Sequence, residues 1–106
     1  MNKELFIKDY LQEHVYDNIC LQDICEHFHM SKSHVCELFQ KEMGKGVIEY
    51  YNEMKIQEAK RLIEKGEMNL TQIAEQLGYA NIHQFSRSFK NKVGMAPTAF
   101  RKLNKK

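Results

Sequence analysis

Apolar residues recur three or four positions apart along most of the chain, which is the spacing of amphipathic α-helices. The clearest example is the segment 81–94, where Ile82, Phe85 and Phe89 fall on one side of a helix. The opposite side carries polar and basic residues, namely His83, Arg87, Lys90 and Asn91. Such side chains can hydrogen-bond to base edges or to phosphates. An ordinary surface helix with a solvated polar side would show the same pattern, so both interpretations stay open for this segment.

The same periodicity predicts an all-α chain with seven helices. They cover residues 3–14, 21–28, 32–43, 46–65, 70–77, 82–93 and 97–103. β-Branched residues are few and do not alternate with polar ones, so no strand is predicted. Ser31, Asn69 and Asn81 precede helices and can cap them, because their side-chain oxygens can accept hydrogen bonds from free amides. Gly44 and Gly78 are the predicted C-caps of the third and fifth helices.

The spacing also predicts which side chains are buried in the first two helices. The first helix should cover a core with the side formed by Leu5, Phe6, Ile7, Tyr10, Leu11 and His14. In the second helix, Cys25 follows Ile24 on the inward side, where a small apolar residue fits. We therefore expect Cys25 to serve as a core residue.

Residues 21–44 and 70–94 repeat the same pattern. Positions before the turn match at an offset of 49, and positions after it match at an offset of 50, which pairs Phe39 with Phe89. The second copy therefore has one extra residue in its turn. Each copy is a short helix, a turn and a longer helix, which is the outline of a helix-turn-helix.

The repeat predicts three parts: a first helix-turn-helix subdomain at 1–45, a linker helix at 46–66 and a second subdomain at 67–106. A helix of about 20 residues is about 30 Å long. DNA-reading helices that enter successive major-groove faces lie about 34 Å apart. The linker therefore suits two DNA-reading helices, and a helical bundle with an old duplication and no ligand is the alternative.

The net charge of +2 hides an uneven distribution along the chain. Residues 1–78 carry 9 Lys and Arg against 14 Asp and Glu, whereas residues 79–106 carry 7 Lys and Arg and no acid. Basic clusters of this kind are typical of proteins that bind nucleic-acid phosphates. A solvated basic tail ending in Lys105 and Lys106 would give the same balance.

The composition argues against several other classes of protein. No stretch reaches the roughly 20 apolar residues of a membrane span, and the N-terminus lacks the apolar core of a signal peptide. Three cysteines without a disulfide-framework spacing indicate a reducing compartment, so we expect a cytoplasmic protein. The His and Cys residues of 20–36 do not have zinc-site spacing, and no catalytic motif appears, so no metal, cofactor or enzymatic activity is predicted. Oxidation of Cys36 would couple redox state to binding, although no basic neighbour in sequence activates its thiol.

Several motifs occur in one order along the chain. The shorter ones are Leu21-x-x-Ile24-Cys25, Met30-Ser31-x-Ser33-x-Val35-x-x-Leu38-Phe39 and Ala59-x-x-Leu62-Ile63. The longest composite is Ile73-Ala74-x-x-Leu77-Gly78-Tyr79, then Phe85-Ser86-Arg87-x-Phe89-Lys90, then Gly94-x-x-Pro97-x-x-Phe100-Arg101. Over about residues 5–103, this order resembles the DNA-binding domain of AraC-type transcriptional regulators.

The resemblance implies two homeodomain-like helix-turn-helix subdomains joined by a long linker helix. It also implies a sequence-specific regulator whose helices 3 and 6 enter adjacent major-groove segments of double-stranded DNA. By position, the expected base-contacting residues are Ser33, Cys36, Glu37, His83 and Arg87. The expected phosphate-contacting residues are Ser31, Lys32, Lys41, Asn81, Ser86, Lys90 and Arg101.

Three features depart from the family pattern. Glu37 stands where a basic or amide residue is common; its carboxylate can accept from cytosine N4 but is repelled by phosphates. Ala96 precedes Pro97 where a hydroxyl residue is expected, so the last helix is predicted to start loosely. A sensing or dimerisation domain is missing, so the chain is expected to be either a stand-alone member or the C-terminal part of a longer regulator.

RNA polymerase is a further partner implied by the resemblance, and a helical protein-interaction module is the alternative function.

Overall fold

The computed structural model describes residues 3–104, and this range contains seven α-helices and no strand, which confirms the all-α prediction. The helices are α1 (Lys3–Glu13), α2 (Leu21–Phe28), α3 (Lys32–Met43), α4 (Val47–Lys65), α5 (Leu70–Gln76), α6 (Ile82–Val93) and α7 (Pro97–Leu103). Four agree with the predicted ends; α1 and α5 end one residue earlier, and α4 begins one residue later. None of the helices in 3–104 is long and apolar enough to cross a membrane. Lys105 and Lys106, which belong to the predicted basic tail, lie outside the described residues.

Side-chain caps hold the N-termini of α3, α5 and α6, as predicted. In α3, the His34 N–H donates to Ser31 Oγ at 3.1 Å. In α5, the Gln72 N–H donates to Asn69 Oδ1 at 2.8 Å and the Asn69 N–H donates to Gln72 Oε1 at 2.9 Å, which completes the capping box. In α6, Asn81 Oδ1 accepts from the third helical amide at 2.9 Å. These bonds satisfy amides that a helix start leaves free, so each helix begins at a defined residue.

The helices form two compact units, which divide inside α4 between Met54 and Lys55. We call the part up to Met54 unit 1 and the part from Lys55 unit 2. The core of unit 1 consists of Ile7, Leu11, Ile24, Cys25, Val35, Phe39, Val47 and Tyr51. The core of unit 2 consists of Ile56, Ala59, Leu62, Ile63, Ile73, Ala74, Leu77, Phe85 and Phe89. Cys25 is thus a core residue, as expected, and α4 contributes side chains to both cores.

The buried side of α1 differs from the prediction. Leu5 and Phe6 are 50% and 47% exposed, whereas Ile7 and Leu11 are fully buried and Glu4 is largely buried. At about 100° per residue, the positions of Glu4, Ile7 and Leu11 define one narrow stripe. Leu5 and Phe6 lie more than a quarter turn outside this stripe, so the expected burial of these two side chains is wrong.

The turns after α2 and after α5 each contain one residue in the left-handed conformation, and the type of that residue differs between the two units. In unit 1 it is His29, with φ of 54°, and in unit 2 it is Gly78, with φ of 82°. In both turns the following amide closes the turn with a hydrogen bond. The Met30 N–H donates to the Cys25 carbonyl oxygen, and the Tyr79 N–H donates to the Ala74 carbonyl oxygen, each at 3.0 Å. Gly78 is not the C-cap predicted from the sequence: α5 ends at Gln76, Leu77 is the cap residue, and Gly78 follows it.

Candidate nucleic-acid interface

Helix α6 is anchored in unit 2 by two phenylalanines. Phe85 and Phe89 are fully buried, and their ring centroids lie 5.8 Å apart. Tyr79 packs on Phe85 at 5.3 Å, and Phe100 of α7 packs on Phe89 at 5.4 Å. Burial of each ring stabilises the unit by about 1.5–3 kcal/mol. The packing therefore determines which side of α6 faces solvent.

The exposed side of α6 carries the residues that the sequence singled out. His83, Arg87, Lys90 and Asn91 are all exposed. Of these, His83 and Arg87 are four residues apart and so share one side of the helix. Ser86 is only partly exposed, since it lies nearer to the buried side than Arg87 does.

Helix α3 has the equivalent arrangement in unit 1. Val35 and Phe39 are fully buried. Ser33, Cys36 and Glu37 are exposed and, at positions i, i+3 and i+4, share the opposite side of the helix. The structure thus brings the three predicted base-contacting residues of α3 onto one surface.

The offset of 50 places residues of α3 and α6 at matching positions. Ser33 corresponds to His83, and Glu37 corresponds to Arg87. Cys36 corresponds to Ser86, although the sequence analysis assigned these two residues to bases and phosphates respectively. Two similar polar surfaces are therefore built on two similar helices, but they differ in charge.

The predicted phosphate-contacting residues lie at helix starts and on exposed sides. Ser31 and Asn81 are N-caps, and after accepting from a helix amide each can still donate from its hydroxyl or amide group. The remaining cations are exposed, and none of them has a carboxylate partner within residues 3–104: Lys32, Lys41, Lys90 and Arg101. Unpaired, hydrated cations at such positions are available to a polyanion.

Charge separates the two units sharply. Unit 1 carries 5 Lys and Arg against 10 Asp and Glu, whereas unit 2 carries 11 against 4. Several of the cations in the described range are already neutralised locally; Lys45 pairs with Glu53 at 2.6 Å, and Arg61 pairs with Glu58 at 2.6 Å. The basic residues of α6 and α7 have no acid near them in sequence, so the positive field of unit 2 is concentrated there.

Two residues with structural roles in unit 2 were missed in the sequence. Gln84 Oε1 accepts from the Ala80 N–H at 2.7 Å, which ties the turn to the start of α6. The signal was present, because Asn81 and Gln84 have the same spacing as the capping box at the start of α5. Lys55 is 3% exposed, and its position four residues before Ala59 on the inward side of α4 was a second signal.

The histidines and cysteines are the residues to consider for metal and thiol chemistry. Among residues 3–104, no three His, Cys, Asp or Glu side chains are grouped so that they could hold a metal ion. Cys20 and Cys36 are exposed free cysteines, whereas Cys25 is a buried one. The Cys36 thiol is thus open to solvent on the α3 surface.

Comparison with known proteins identifies the family. A family model described as a helix-turn-helix domain matches residues 24–103. The uncharacterized HTH-type transcriptional regulator YfiF of Bacillus subtilis is 35% identical over 96 residues, covering 87% of this chain and 30% of that protein. The chain spans about a third of the length of the first curated relatives it matches.

Solved structures show the same fold. The C-terminal domain of the response regulator yesN of Fusobacterium nucleatum superposes with a TM-score of 0.89 at 24% identity, over 95% of this chain and 99% of that chain. The DNA-binding domain of AdpA, solved in complex with a target DNA, gives a TM-score of 0.87 at 17% identity, over 93% and 89% of the two chains. At these identities, both likenesses establish the fold.

The family model covers most of the chain, from within α2 to the end of α7, and it agrees with the motif order read from the sequence. The solved neighbours share the all-α helix-turn-helix fold. The chain therefore belongs to the AraC-type helix-turn-helix family of transcriptional regulators.

Proposed function

We propose that this chain is a sequence-specific DNA-binding domain of a transcriptional regulator, with α3 and α6 as its two reading helices. The main support is the pair of matching exposed surfaces, in which Ser33 and Glu37 on α3 correspond to His83 and Arg87 on α6. A major groove is wide enough to admit an α-helix, and a helix inserted there presents residues four apart to neighbouring bases. The likeness to a domain solved with its target DNA gives independent support.

The chemistry of each residue suggests its role at the bases. Arg87 can donate two hydrogen bonds to O6 and N7 of guanine, and His83 can donate to or accept from a base edge. On α3, Ser33 and the Cys36 thiol can form weaker contacts, and the Glu37 carboxylate can accept from cytosine N4. We therefore infer that α6 contributes more of the binding free energy than α3.

Phosphate contacts would hold the two helices in register on the duplex. The N-caps Ser31 and Asn81 lie where helix N-termini offer partial positive charge to a phosphate. Lys32, Lys41, Ser86, Lys90 and Arg101 are the further candidates. Such contacts carry no sequence information, but they supply much of the affinity and its salt dependence.

The proposed division of labour assigns 1–45 and 67–106 to the two reading subdomains and 46–66 to the linker. Helix α4 has 19 residues, which corresponds to about 28 Å at the usual rise. This length is comparable with the pitch of B-form DNA, about 34 Å. We propose that the two readers meet successive major-groove segments.

The chain also fits a role as the C-terminal part of a longer, cytoplasmic regulator. It spans about a third of the length of its curated relatives, whose names describe them as transcriptional regulators. A sensing or dimerisation domain and RNA polymerase are the partners we propose for such a regulator. No catalytic step is part of this function.

The decisive experiment measures binding to a DNA site that has been obtained by in vitro selection with this protein. Rounds of selection from a random duplex library supply a preferred site, and fluorescence anisotropy then gives Kd at several salt concentrations. We expect log K to fall by several units per unit of log salt, because several phosphates exchange their counterions for cations of the protein. We expect Arg87→Ala to cost about 1–3 kcal/mol on the selected site.

A matched control comes from another exposed arginine. Arg61 pairs with Glu58 on α4, which is not one of the two proposed reading helices, so Arg61→Ala should leave Kd unchanged. Binding that does not respond to salt, or equal losses for the Arg87 and Arg61 variants, would contradict the proposal. Either result would instead support a helical protein-interaction module.

A further inference from the structure

Unit 2 buries a lysine that is not among the predicted DNA-contacting residues. Lys55 on α4 is 3% exposed, and it is the one buried basic residue among positions 3–104. Removing an ammonium group from water is costly unless other groups compensate its charge. A buried lysine is therefore expected to have nearby groups that stabilise its positive charge.

The surroundings of Lys55 provide this compensation. Its Nζ donates a hydrogen bond to the carbonyl oxygen of Leu77, the cap residue at the end of α5. Carbonyls at a helix C-terminus carry partial negative charge, so they stabilise a cation. The Nζ also lies 5.5 Å from the ring centroid of Tyr79, within cation–π range.

These contacts connect Lys55 to the reading helix. Leu77 and Tyr79 flank the left-handed Gly78 in the turn between α5 and α6. The Tyr79 ring in turn packs against Phe85, which anchors the buried side of α6. We propose that Lys55 is a positioning residue for DNA recognition, which fixes α6 by holding the turn through the Leu77 carbonyl and the Tyr79 ring. This inference rests on the proposed DNA-binding function.

Within the described part of unit 1, residues 3–54, no buried lysine is found, and this provides an internal contrast. The residue that corresponds to Tyr79 is Met30, which has no aromatic ring. The polar group that α4 buries in unit 1 is the hydroxyl of Tyr51, which lies 2.7 Å from the carbonyl oxygens of His14 and Asp17 in the loop after α1. In unit 1, α4 thus holds a different loop, and the lysine arrangement belongs to unit 2.

The test separates positioning from stability. Lys55→Met keeps the length and packing of the side chain but removes the charge and the donor. Because a buried cation is costly, the variant should remain folded with a Tm equal to or above that of the parent. We expect its affinity for the selected duplex to fall about fivefold, with less than twofold change on random duplex, because only sequence reading needs the exact angle of α6.

A double-mutant cycle and a rescue variant sharpen the test. Tyr79→Leu should lower selective affinity in the same way, and its effect should not add to that of Lys55→Met. Arg61→Ala serves as the additive control. Lys55→Arg restores both the charge and the donor, so it should recover part of the selective affinity if it folds; if it does not fold, the cycle with Tyr79→Leu still decides.

Hydrogen exchange in the free protein gives a readout that does not depend on DNA. We expect faster amide exchange in the turn and the first turns of α6 in Lys55→Met, with unchanged rates in α3. Unchanged exchange in α6 together with unchanged selective affinity would overturn the inference, as would equal losses on selected and random duplex. If the parent protein binds no DNA at all, the proposed function fails, and the exchange data alone then show whether Lys55 holds α6.

Discussion

Units 1 and 2 share one architecture but carry opposite charge. Unit 1 has a formal charge of −5, with 5 basic and 10 acidic residues, whereas unit 2 has +7, with 11 basic and 4 acidic residues. Even so, a buried phenylalanine anchors α3 in unit 1 and α6 in unit 2, since Phe39 in α3 corresponds to Phe89 in α6. This comparison indicates that the buried residues and the helix caps determine the fold. The exposed residues can vary in charge without changing the fold, and so they determine how strongly each unit attracts DNA.

The capping boxes show the same contrast at smaller scale. At the start of α2, the Cys20 N–H donates to the Asp23 carboxylate at 2.8 Å. At the start of α5, the equivalent bond runs from the Asn69 N–H to the neutral Gln72 at 2.9 Å. The Cys20 backbone hydrogen bond lowers the pKa of Asp23 from its ordinary value. The acceptor for the N-cap amide is therefore a titratable carboxylate in unit 1 and a neutral side-chain amide in unit 2.

The largest expected effect tests the shared architecture. Phe39→Ala and Phe89→Ala should each lower the free energy of unfolding by about 3–5 kcal/mol, because each removes a fully buried ring and leaves a cavity. Urea unfolding followed by circular dichroism measures both losses. Phe6→Ala is the matched control, since Phe6 is 47% exposed and its loss should change stability by less than about 0.5 kcal/mol. A small loss for either buried phenylalanine would break the equivalence of the two cores.

A medium effect tests the difference in charge. Glu37→Gln should strengthen binding to random duplex about two- to fivefold at low salt, because it removes a carboxylate that phosphates repel. Fluorescence anisotropy measures the change, which should shrink as salt is added. Glu13→Gln on the exposed side of α1 removes the same charge from unit 1 outside α3. An equal gain from this control would mean that net charge alone, and not the α3 surface, separates the units.

The smallest effect concerns the acidic cap of α2. Because the pKa of Asp23 is lowered in the folded protein, its carboxylate stabilises the fold above the ordinary pKa of the group. This contribution is lost as the pH falls through the folded-state pKa. We expect Asp23→Asn to lower Tm at neutral pH and to match the parent at strongly acidic pH. Gln72→Ala, in contrast, should lower Tm equally at both pH values, and a pH-independent difference for Asp23→Asn would contradict the assignment.

Much of the fold could be predicted because its signals are local. Ser31, Asn69 and Asn81 were identified as caps from their type and position alone, and the structure confirms all three. The offset between the two copies likewise predicted two similar units before any packing was known. In contrast, α1 has apolar residues on more than one side, so the prediction from periodicity wrongly assigned Leu5 to the core and missed Glu4.

The sequence could place Lys55 on the inward side of α4, but it could not show the distant groups that compensate its buried charge. A lysine is normally expected at the surface, and the burial of Lys55 depends on the carbonyl of Leu77 and the ring of Tyr79, more than 20 residues away. The roles of Ser33, Cys36, Glu37, His83 and Arg87 at bases stay predictions, because they depend on a duplex as well as on the fold. What the structure adds is that these side chains are exposed and share sides of α3 and α6.

The distribution of the three thiols has a practical consequence. Cys25 is enclosed in the core, whereas Cys20 and Cys36 are open to solvent. A maleimide dye would therefore attach outside the core, and Cys20→Ser would leave Cys36 as the single labelling position. Because Cys36 lies within the α3 surface itself, attachment of a bulky dye there should weaken duplex binding if that surface enters the groove.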